Sequence, residues 1–481
     1  MTSILCIVPP FDYGGLKSIA SKSPPLGMAI IAAYLEQFDY RVKILDAYVQ
    51  ALTLEYIREE IQKTKPEIIF IGSSTATFPK AIQILEGAKE INPNIITVFG
   101  GIHVTNSPTS SLKHKCVDYL VLGEGELTAK ELVDYISGKS NLKKNEIQGI
   151  AYLEEGELHI NEKRPLIKDL DTLPMPAYHL LPMDMYKSYG WYDVGRKFST
   201  MITSRGCPSK CSFCISSKNF NHMWRARSAP KVFEEMKLLY EKYKIRHIYL
   251  EDDEFCVNHK RVIELSKMIK DSGMDLIWEC LTRVNHVDDE LLKSMAEGKC
   301  KSILYGAELG YEDGFKKINK TITLDMIKKA VKLTQKYKIL AKVTFMMGFP
   351  WESKTEIKKT INFAKSLNAD VTFFSMLSPY PGSYIYDEMV SEGLISEPEN
   401  WEGYLIHGST KKSSEPIIRT RYLTAKELAY WNGRAYLELY TQPKYILKKI
   451  KSLTNVHELK RSIGAGKDLL GLSIKRILKS N

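Results

Sequence analysis

The segment Cys207-Pro-Ser-Lys-Cys211-Ser-Phe-Cys214 is the most informative stretch of this 481-residue chain. It comes shortly after Ser199–Thr203, a short run with three β-branched residues that predicts a strand. The chain has only 8 cysteines, too few for a disulfide scaffold, so three of them in one short segment indicate metal ligation in a reducing compartment. Three thiolates at this spacing fit one face of a [4Fe–4S] cube and leave one iron open for chemistry. The alternative is a zinc knuckle with a distant fourth ligand.

The cysteine segment lies at the start of a repeating pattern of strands and helices. Polar residues follow each strand, as they would around one shared site, so six such units predict a partial or full barrel over residues 196–390. The predicted strands are Ser199–Thr203, His247–Leu250, Ile277–Leu281, Ser302–Gly306, Lys342–Gly348 and Asp370–Leu377.

Residues 1–140 alternate short apolar strands with amphipathic helices, which predicts a doubly wound, Rossmann-like α/β domain with a parallel sheet. Ligands of such sheets bind at the carboxyl ends of the strands. No Gly-x-x-x-x-Gly-Lys-Ser/Thr is present, and no Gly-x-Gly-x-x-Gly follows the first strand, so ATP and NAD are not favoured. The candidate ligand-binding residues at these strand ends are Asp46, Ser73, Thr75, Gly100, Gly101, His103, Gly123 and Glu124.

The rest of the chain comprises a connector and a helical extension. Residues 141–195 are rich in proline and predict a connector with one hairpin around Glu155-Gly156. Residues 391–481 predict helices without strands. No run of 18 or more uncharged apolar residues is present, so no transmembrane helix is expected, and the N-terminus has no basic segment typical of a secretory signal.

The basic residues are concentrated near the C-terminus. The chain carries a net charge of +11, and Thr441–Asn481 contains ten Lys or Arg against Glu458 and Asp468. Apolar residues recur there at helical spacing, which predicts a basic amphipathic tail that could lie on an anionic membrane. A solvated basic helix is the alternative. We therefore expect a cytoplasmic protein that associates peripherally with a membrane surface. The apolar tail residues are Ile446, Leu447, Ile450, Leu453, Leu469, Leu470, Leu472, Ile474, Ile477 and Leu478.

The cysteine spacing, its place after the first barrel strand and the polar strand ends together resemble the radical S-adenosylmethionine enzymes, over residues 198 to about 390. The resemblance implies that Cys207, Cys211 and Cys214 hold a [4Fe–4S] cluster. It also implies that Phe213 packs near the adenine of S-adenosylmethionine and that the segment containing Asp252 meets the methionine amino group. Two further strand ends complete the implied site, with Glu308 near the ribose and Gly348 after the fifth strand.

The N-terminal domain resembles the cobalamin-binding domain found in one branch of that superfamily. The better-known cobalamin module has Asp-x-His-x-x-Gly, whose histidine ligates cobalt. Here the stretch is Asp46-Ala-Tyr48-Val-Gln-Ala51, which implies cobalamin bound without a protein histidine below cobalt. His103 is expected to bond corrin side chains or backbone rather than the metal.

The resemblance implies a radical enzyme that takes electrons from an external flavodoxin or ferredoxin. C-methylation of an unactivated carbon, on a small molecule, a lipid or an isoprenoid, is the leading hypothesis. A cyclase, carbon–carbon coupling or rearrangement enzyme with the same cofactors is the alternative. A non-catalytic cobalamin or iron–sulfur binding protein would not need the strand-end residues. Methylthiolation of RNA is not favoured, because cysteines for a second cluster and a β-rich RNA module are not evident, so a nucleic acid partner is not expected.

Overall fold

The computed structural model describes residues 2–11, 21–188, 195–395, 399, 401, 404, 416–452 and 456–480. They divide into two compact units. The first unit comprises residues 1–12 and 22–186, and the second comprises residues 13–21 and 187–481. Residues 141–186 of the predicted connector pack with the first unit, and the C-terminal helices pack with the second.

The first unit alternates strands and helices much as the sequence predicts. Its strands are β1 (Ser3–Val8), β2 (Arg41–Asp46), β3 (Ile68–Gly72), β4 (Ile96–Gly100), β5 (Tyr119–Val121), β6 (Ile150–Glu154) and β7 (Glu157–Ile160). Its helices are α1 (Leu26–Glu36), α2 (Leu54–Thr64), α3 (Phe78–Ile91), α4 (Ile102–Asn106), α5 (Pro108–Leu112) and α6 (Gly125–Ile136).

The sheet of the first unit has the order β2-β1-β3-β4-β5-β6-β7. Strands β1 to β5 are parallel, and the middle residues of β1 and β3 are buried, as expected where helices cover both faces. The predicted hairpin at Glu155-Gly156 is confirmed, since β6 and β7 pair antiparallel on either side of it. It is not a separate connector element, because β6 also pairs antiparallel with β5 and makes the sheet mixed.

The second unit contains the six predicted barrel strands, two further short strands and eleven described α-helices. Its strands are β8 (Phe198–Met201), β9 (Ser204–Arg205), β10 (Arg225–Ala226), β11 (His247–Leu250), β12 (Ile277–Thr282), β13 (Cys300–Glu308), β14 (Leu340–Met347) and β15 (Val371–Met376). Its helices are α7 (Ser216–Asn219), α8 (Ala229–Glu241), α9 (His259–Asp271), α10 (Asp289–Glu297), α11 (Glu312–Lys317), α12 (Leu324–Lys336), α13 (Lys354–Leu367), α14 (Tyr384–Ser391), α15 (Ala425–Tyr440), α16 (Pro443–Ser452) and α17 (Val456–Ser480).

Six of these strands form one parallel sheet in chain order, β8-β11-β12-β13-β14-β15. Among the described residues the outer strands β8 and β15 are not paired with each other, so the arrangement is the partial barrel rather than the closed one. Capping side chains fix where the intervening helices begin, because each satisfies a backbone N–H of the first turn. The caps are Ser228 of α8, Asn258 of α9, Asp288 of α10, Thr323 of α12 and Ser353 of α13.

A buried charged group lies at the amino ends of the barrel strands. Glu279 of β12 accepts hydrogen bonds from Lys342 of β14, Ser302 of β13 and His247 of β11, the last with Nε2 at 2.6 Å. All four residues are at most 3% exposed. Although burial alone would raise it, Lys342 and His247 hold the pKa of Glu279 well below its ordinary value. This ionic group therefore ties four strands together at the base of the sheet.

Candidate functional site

The cysteine segment is held in place by backbone contacts with two helices. The N–H of Ser212 donates to the carbonyl of Ile318 at the end of α11 (3.0 Å), and its carbonyl accepts from Ile385 in α14 (3.2 Å). Gly206 precedes the first cysteine with φ +85°, and a Cβ there would lie 2.1 Å from the carbonyl oxygen of Met223. Only glycine fits this approach, so the local sequence fixes how the segment leaves the strand.

The thiols of the segment receive hydrogen bonds from nearby N–H and hydroxyl groups. Burial raises the pKa of Cys214 to about 11, while the N–H groups of Ser216 and Ser217 oppose that rise. Burial also raises the pKa of Cys207, and the backbone and hydroxyl of Ser209 oppose it. Such donors suit sulfur atoms that carry negative charge as metal ligands. Within the described part of the chain no three Cys, His, Asp or Glu side chains converge on a single metal ion. A four-iron cube bonds each thiolate to a different iron and does not require that convergence.

Arg283, directly after β12, brings a positive charge to the segment. Its guanidinium Nη1 donates to the sulfur of Cys211 (3.6 Å), while Nε donates to Asn285 (3.2 Å). The residue is 7% exposed, and its backbone N–H donates to the Glu254 carboxylate at 2.9 Å. A buried cation is thus fixed beside one candidate cluster ligand.

The acidic residues after β11 have different hydrogen-bond partners. The Asp252 carboxylate accepts from the backbone N–H of Thr203 (2.6 Å), the Thr203 hydroxyl (2.5 Å) and the Ser204 hydroxyl (2.6 Å). Asp253 accepts from the Ser216 hydroxyl (2.5 Å), and burial raises its pKa. Asp252 therefore holds the turn that leads into the cysteines, and its prediction as a ligand for the methionine amino group stays a prediction.

An ion pair lies at the exit of β13. Glu308 has φ +63°, an uncommon conformation for a residue other than glycine, and its carboxylate binds Lys320 Nζ at 2.7 Å. Gly306 leaves room for this pair, since a Cβ there would lie 2.3 Å from the Glu308 carboxylate oxygen. Strained backbone conformations of this kind are concentrated at ligand sites. The predicted ribose-contact residue is thus already paired with a buried cation.

Packed aromatic rings and a buried carboxylate lie at the carboxyl end of β14. The rings of Phe213 and Phe349 are 6.0 Å apart, and Phe349 stacks on Trp351 at 5.2 Å. The N–H groups of Gly348 (2.7 Å) and Phe349 (3.0 Å) donate to Glu352. Burial raises the pKa of Glu352 to about 7. The structure therefore brings two predicted site residues, Phe213 and Gly348, to the same place.

The inner face of the six-stranded sheet is apolar and partly open. In the carboxyl halves of β13, β14 and β15, partly exposed residues alternate with buried ones, so they share one face of the sheet. Leu281 is the partly exposed residue in the same part of β12. The base of that face is closed by the Glu279 group, and above it the face offers mainly hydrocarbon and one aromatic ring. Its partly exposed residues are Leu281, Leu304, Gly306, Thr344, Met346, Phe373 and Ser375.

In the first unit, the ends of β3 and β4 form a close backbone approach. Gly101 has φ +104°, and a Cβ there would lie 2.5 Å from the Ser73 carbonyl oxygen. The Ser73 N–H donates to the carbonyl of Gly100 at 3.1 Å. The Ser73 hydroxyl is buried and has no hydrogen-bond partner among the described residues. We call these closely packed strand ends the Gly101 cradle. A ligand bound there would supply a partner for the Ser73 hydroxyl.

His103 lies next to this cradle and is 2% exposed. Its Nδ1 is 3.2 Å from the Thr75 hydroxyl, and its ring packs on Phe78 with centroids 4.3 Å apart. Burial lowers the pKa of His103 to about 4, so the ring is neutral at physiological pH. His103 is thus a buried, neutral side chain that packs between Thr75 and Phe78.

The two candidate carboxylates of the first unit accept hydrogen bonds from other residues of the same unit. Asp46 accepts from the N–H of Val49 (3.0 Å) and the hydroxyl of Tyr186 (2.9 Å), and burial raises its pKa. Glu124 accepts from the N–H of Ile167 at 2.8 Å, and the N–H of Gly123, the residue before it, donates to a threonine hydroxyl. These carboxylates order the loops at the strand ends. Their predicted contacts with cobalamin stay predictions.

The sequence left three groups of the second unit without a role. Arg283 lies two residues beyond the predicted strand Ile277–Leu281, and its place at a strand exit could have marked it as a site residue. Lys320 gave no such signal, because it lies in a loop twelve residues beyond Glu308 and its pairing depends on the fold. Glu352 lies in the motif after β14, but only the structure shows that it binds that loop's own backbone.

Comparison with known proteins agrees with this division into two units. Residues 14–133 match the family described as B12 binding domain, and residues 201–364 match the Radical SAM superfamily. An uncharacterized methyltransferase of Pyrococcus horikoshii is 36% identical over 448 residues, which cover 93% of this chain and 94% of that protein. The anaerobic magnesium-protoporphyrin IX monomethyl ester cyclase of Rubrivivax gelatinosus is 30% identical, covering 80% of this chain and 70% of that protein.

The fold also matches a solved structure. The radical S-adenosylmethionine methyltransferase TsrM from Kitasatospora setae superposes with a TM-score of 0.72 at 15% identity, covering 99% of this chain and 100% of that chain. The chain belongs to the radical S-adenosylmethionine enzymes that carry a B12 binding domain. It is therefore an enzyme, and the cofactors of this family are S-adenosylmethionine, a [4Fe–4S] cluster and cobalamin. Among the described residues no helix is both long and apolar enough to cross a membrane.

Proposed function

We propose that this enzyme cleaves S-adenosylmethionine reductively and methylates an unactivated carbon. One observation carries the proposal: a single chain combines a B12 binding domain with the cysteine segment at the end of the first barrel strand. When bound, the cluster supplies the electron that breaks the C–S bond to give a 5′-deoxyadenosyl radical, and cobalamin supplies the methyl carrier. The electron comes from an external flavodoxin or ferredoxin.

The residues of the second unit hold and orient the reactants. The thiolates of Cys207, Cys211 and Cys214 would bind the cluster, and Arg283 fixes a positive charge beside one of them. The partly exposed Phe213 ring, which packs on the buried Phe349 ring, offers an apolar surface for the adenine that excludes water. The Glu308–Lys320 pair supplies both a hydrogen-bond acceptor and a cation for the polar groups of the nucleoside.

The residues of the first unit would hold cobalamin largely through shape and backbone. The unsatisfied Ser73 hydroxyl and the cradle at Gly101 fit a large ligand with many amide groups. His103 is neutral and packed behind Thr75, which supports a binding mode without histidine below cobalt.

We propose a lipid or isoprenoid substrate. The partly open, mainly hydrocarbon face around Leu281, Leu304 and Met346 favours an apolar molecule, since hydrocarbon surface gains by leaving water there. The basic tail also supports a lipid substrate, because it would bring the enzyme to the surface of an anionic membrane. Ring formation is the second candidate reaction, and the 30% identity to a cyclase favours it.

Product analysis tests the reaction. Anaerobically reconstituted protein, incubated with S-adenosylmethionine, a reductant and a lipid extract, should give 5′-deoxyadenosine and S-adenosylhomocysteine, with labelled methyl groups in the lipid. Cys214→Ala should reduce both products to background, while Cys116→Ala, a buried thiol of the first unit, should not. 5′-Deoxyadenosine without S-adenosylhomocysteine would favour the cyclase. Absence of both products from the wild type would favour a non-catalytic binding protein.

A further inference from the structure

Helix α17 has one face packed against α15. Ser473 and Arg476 are 2% and 3% exposed, and the Arg476 guanidinium donates to the side chain of Asn432 in α15. The helices cross closely at Gly433, where a Cβ would lie 2.8 Å from the Ser473 carbonyl oxygen. The predicted amphipathic tail is therefore not a free arm. It is fixed to the second unit along one side.

A different side of α17 exposes an aliphatic stripe. Leu459, Ile463, Ile474 and Leu478 are 41%, 62%, 48% and 68% exposed. At 100° per residue these four positions fall within about 100° of the helix circumference, so they share one face. Helix α16 adds exposed Ile446, Leu447 and Ile450. Leu453 and the side chains of Leu469 and Leu472 lie outside the described residues.

The charges around the stripe are almost all positive. Lys460, Lys467 and Lys475 are exposed on α17, and Lys444 is exposed on α16. Lys448 is not available for a partner, because it binds Asp370 at 2.8 Å. Lys475 borders the stripe, and Lys460 and Lys467 lie along it, where their long stems can carry the charge to the bilayer surface. Aliphatic residues combined with lysines are typical of helices that lie in the interface of an anionic bilayer. A contact with another protein is less well matched, since such interfaces are depleted in lysine.

We propose that the α17 stripe docks this enzyme on an anionic membrane, with Ile463 and Ile474 entering the acyl boundary and Lys467 and Lys475 contacting lipid phosphates. The surface is built on a helix fixed to α15, so it is already formed before binding. The proposal is compatible with a lipid substrate but does not require one.

Vesicle sedimentation of the full-length, anaerobically reconstituted protein tests the proposal. The protein should pellet with vesicles of phosphatidylcholine plus phosphatidylglycerol and remain largely in solution with phosphatidylcholine alone. Each of Lys467→Gln and Lys475→Gln should weaken binding roughly fivefold at low salt. The double variant Ile463→Glu, Ile474→Glu should weaken it by at least about tenfold.

A matched control places the same change on another surface. Ile160 of β7 is 52% exposed in the first unit, so Ile160→Glu should leave vesicle binding unchanged. Wild type that stays in solution with both kinds of vesicle would overturn the proposal, as would stripe variants that bind like wild type. A wild-type dimer that dissociates in the stripe variants, without vesicle binding, would instead assign the stripe to a second copy. Formation of 5′-deoxyadenosine without vesicles tests the proposed reaction separately.

Discussion

The strand ends of the two units differ in what they offer a ligand. In the first unit the close approach at Gly101 and the Ser73 hydroxyl form a cradle of backbone and small polar groups. In the second unit the corresponding edge is lined with buried charges, among them Arg283 beside Cys211 and Glu308 paired with Lys320. The first unit also has carboxylates at its strand ends, Asp46 and Glu124, but they bind other groups of the same unit. The first unit therefore offers a ligand mainly shape, and the second offers mainly charge.

This difference matches the cofactors of the family. Cobalamin is large and carries many neutral amides, so backbone and shape can hold it. A cluster with bound S-adenosylmethionine concentrates charge in a small volume, and fixed ions inside a protein act strongly on such a site. Substitutions should therefore act through steric fit in the first unit and through charge in the second.

The largest effect is expected from breaking the ionic group at the base of the barrel. Lys342→Met would leave Glu279 buried without its main cation, which should lower the free energy of unfolding of the second unit by about 3–5 kcal/mol. The double variant Lys342→Met, Glu279→Gln should recover much of that loss. Urea unfolding near neutral pH measures both. A single variant as stable as wild type would show that the charges do not hold the strands.

A second effect should appear as a pH dependence. Burial raises the pKa of Glu352 to about 7 from 4.5, so the folded protein holds this proton more tightly than the unfolded chain does. The stability from this group is full below about pH 4.5 and should be lost as pH rises through about 7, by about 3 kcal/mol. Glu352→Gln should lose that component when unfolding is compared at about pH 5 and about pH 8. Equal pH slopes for both proteins would contradict the assignment.

A third substitution tests fit in the first unit. Gly101→Ala should cost about 2–3 kcal/mol through strain at its positive φ and the contact with Ser73, and should abolish cobalamin retention without changing iron content. Gly138→Ala is the matched control, because φ is +68° there but no atom lies within 4 Å of the new Cβ. Absorbance of bound cobalamin measures the outcome. If both variants retain cobalamin equally, the cradle does not hold it.

The smallest effect should be a shift in reduction potential. Arg283→Gln removes a cation 3.6 Å from the Cys211 sulfur, and a cluster without that charge is harder to reduce. Iron content should stay unchanged while the midpoint potential becomes more negative, measured by titration with paramagnetic resonance detection. Arg196→Gln, a partly exposed arginine paired with Asp275, should not shift it. Equal potentials for all three proteins would show that Arg283 does not act on the cluster.

Local pattern was enough to predict most of the fold. The strand His247–Leu250 has the predicted bounds, because the buried run ends at the exposed Glu251, where the strand leaves the core. The short helices Ile102–Asn106 and Pro108–Leu112 were not predicted, because five residues are too few to show helical periodicity. The pairing of β6 with β5 also escaped prediction, since a hairpin does not indicate which distant strand it joins.

The sequence predicted those parts of the candidate site whose residues lie close together in the chain. It did not predict contacts between residues that are far apart in the chain. The three cysteines and Phe213 lie in one short motif. The contacts of Arg283 with Cys211 and of Lys342 with Glu279 join residues more than sixty positions apart, so they depend on the order of the strands in the sheet. A charged residue inside a strand gives no sign in the sequence of whether it is paired.

The proposed reaction requires that three thiolates leave one iron of the cluster free to bind S-adenosylmethionine. The paramagnetic resonance spectrum of the reduced, anaerobically purified protein, recorded before and after S-adenosylmethionine is added, tests this requirement. We expect a [4Fe–4S] signal that changes on addition, and no such signal in Cys214→Ala. A spectrum indifferent to S-adenosylmethionine, or protein that contains zinc in place of iron, would contradict it.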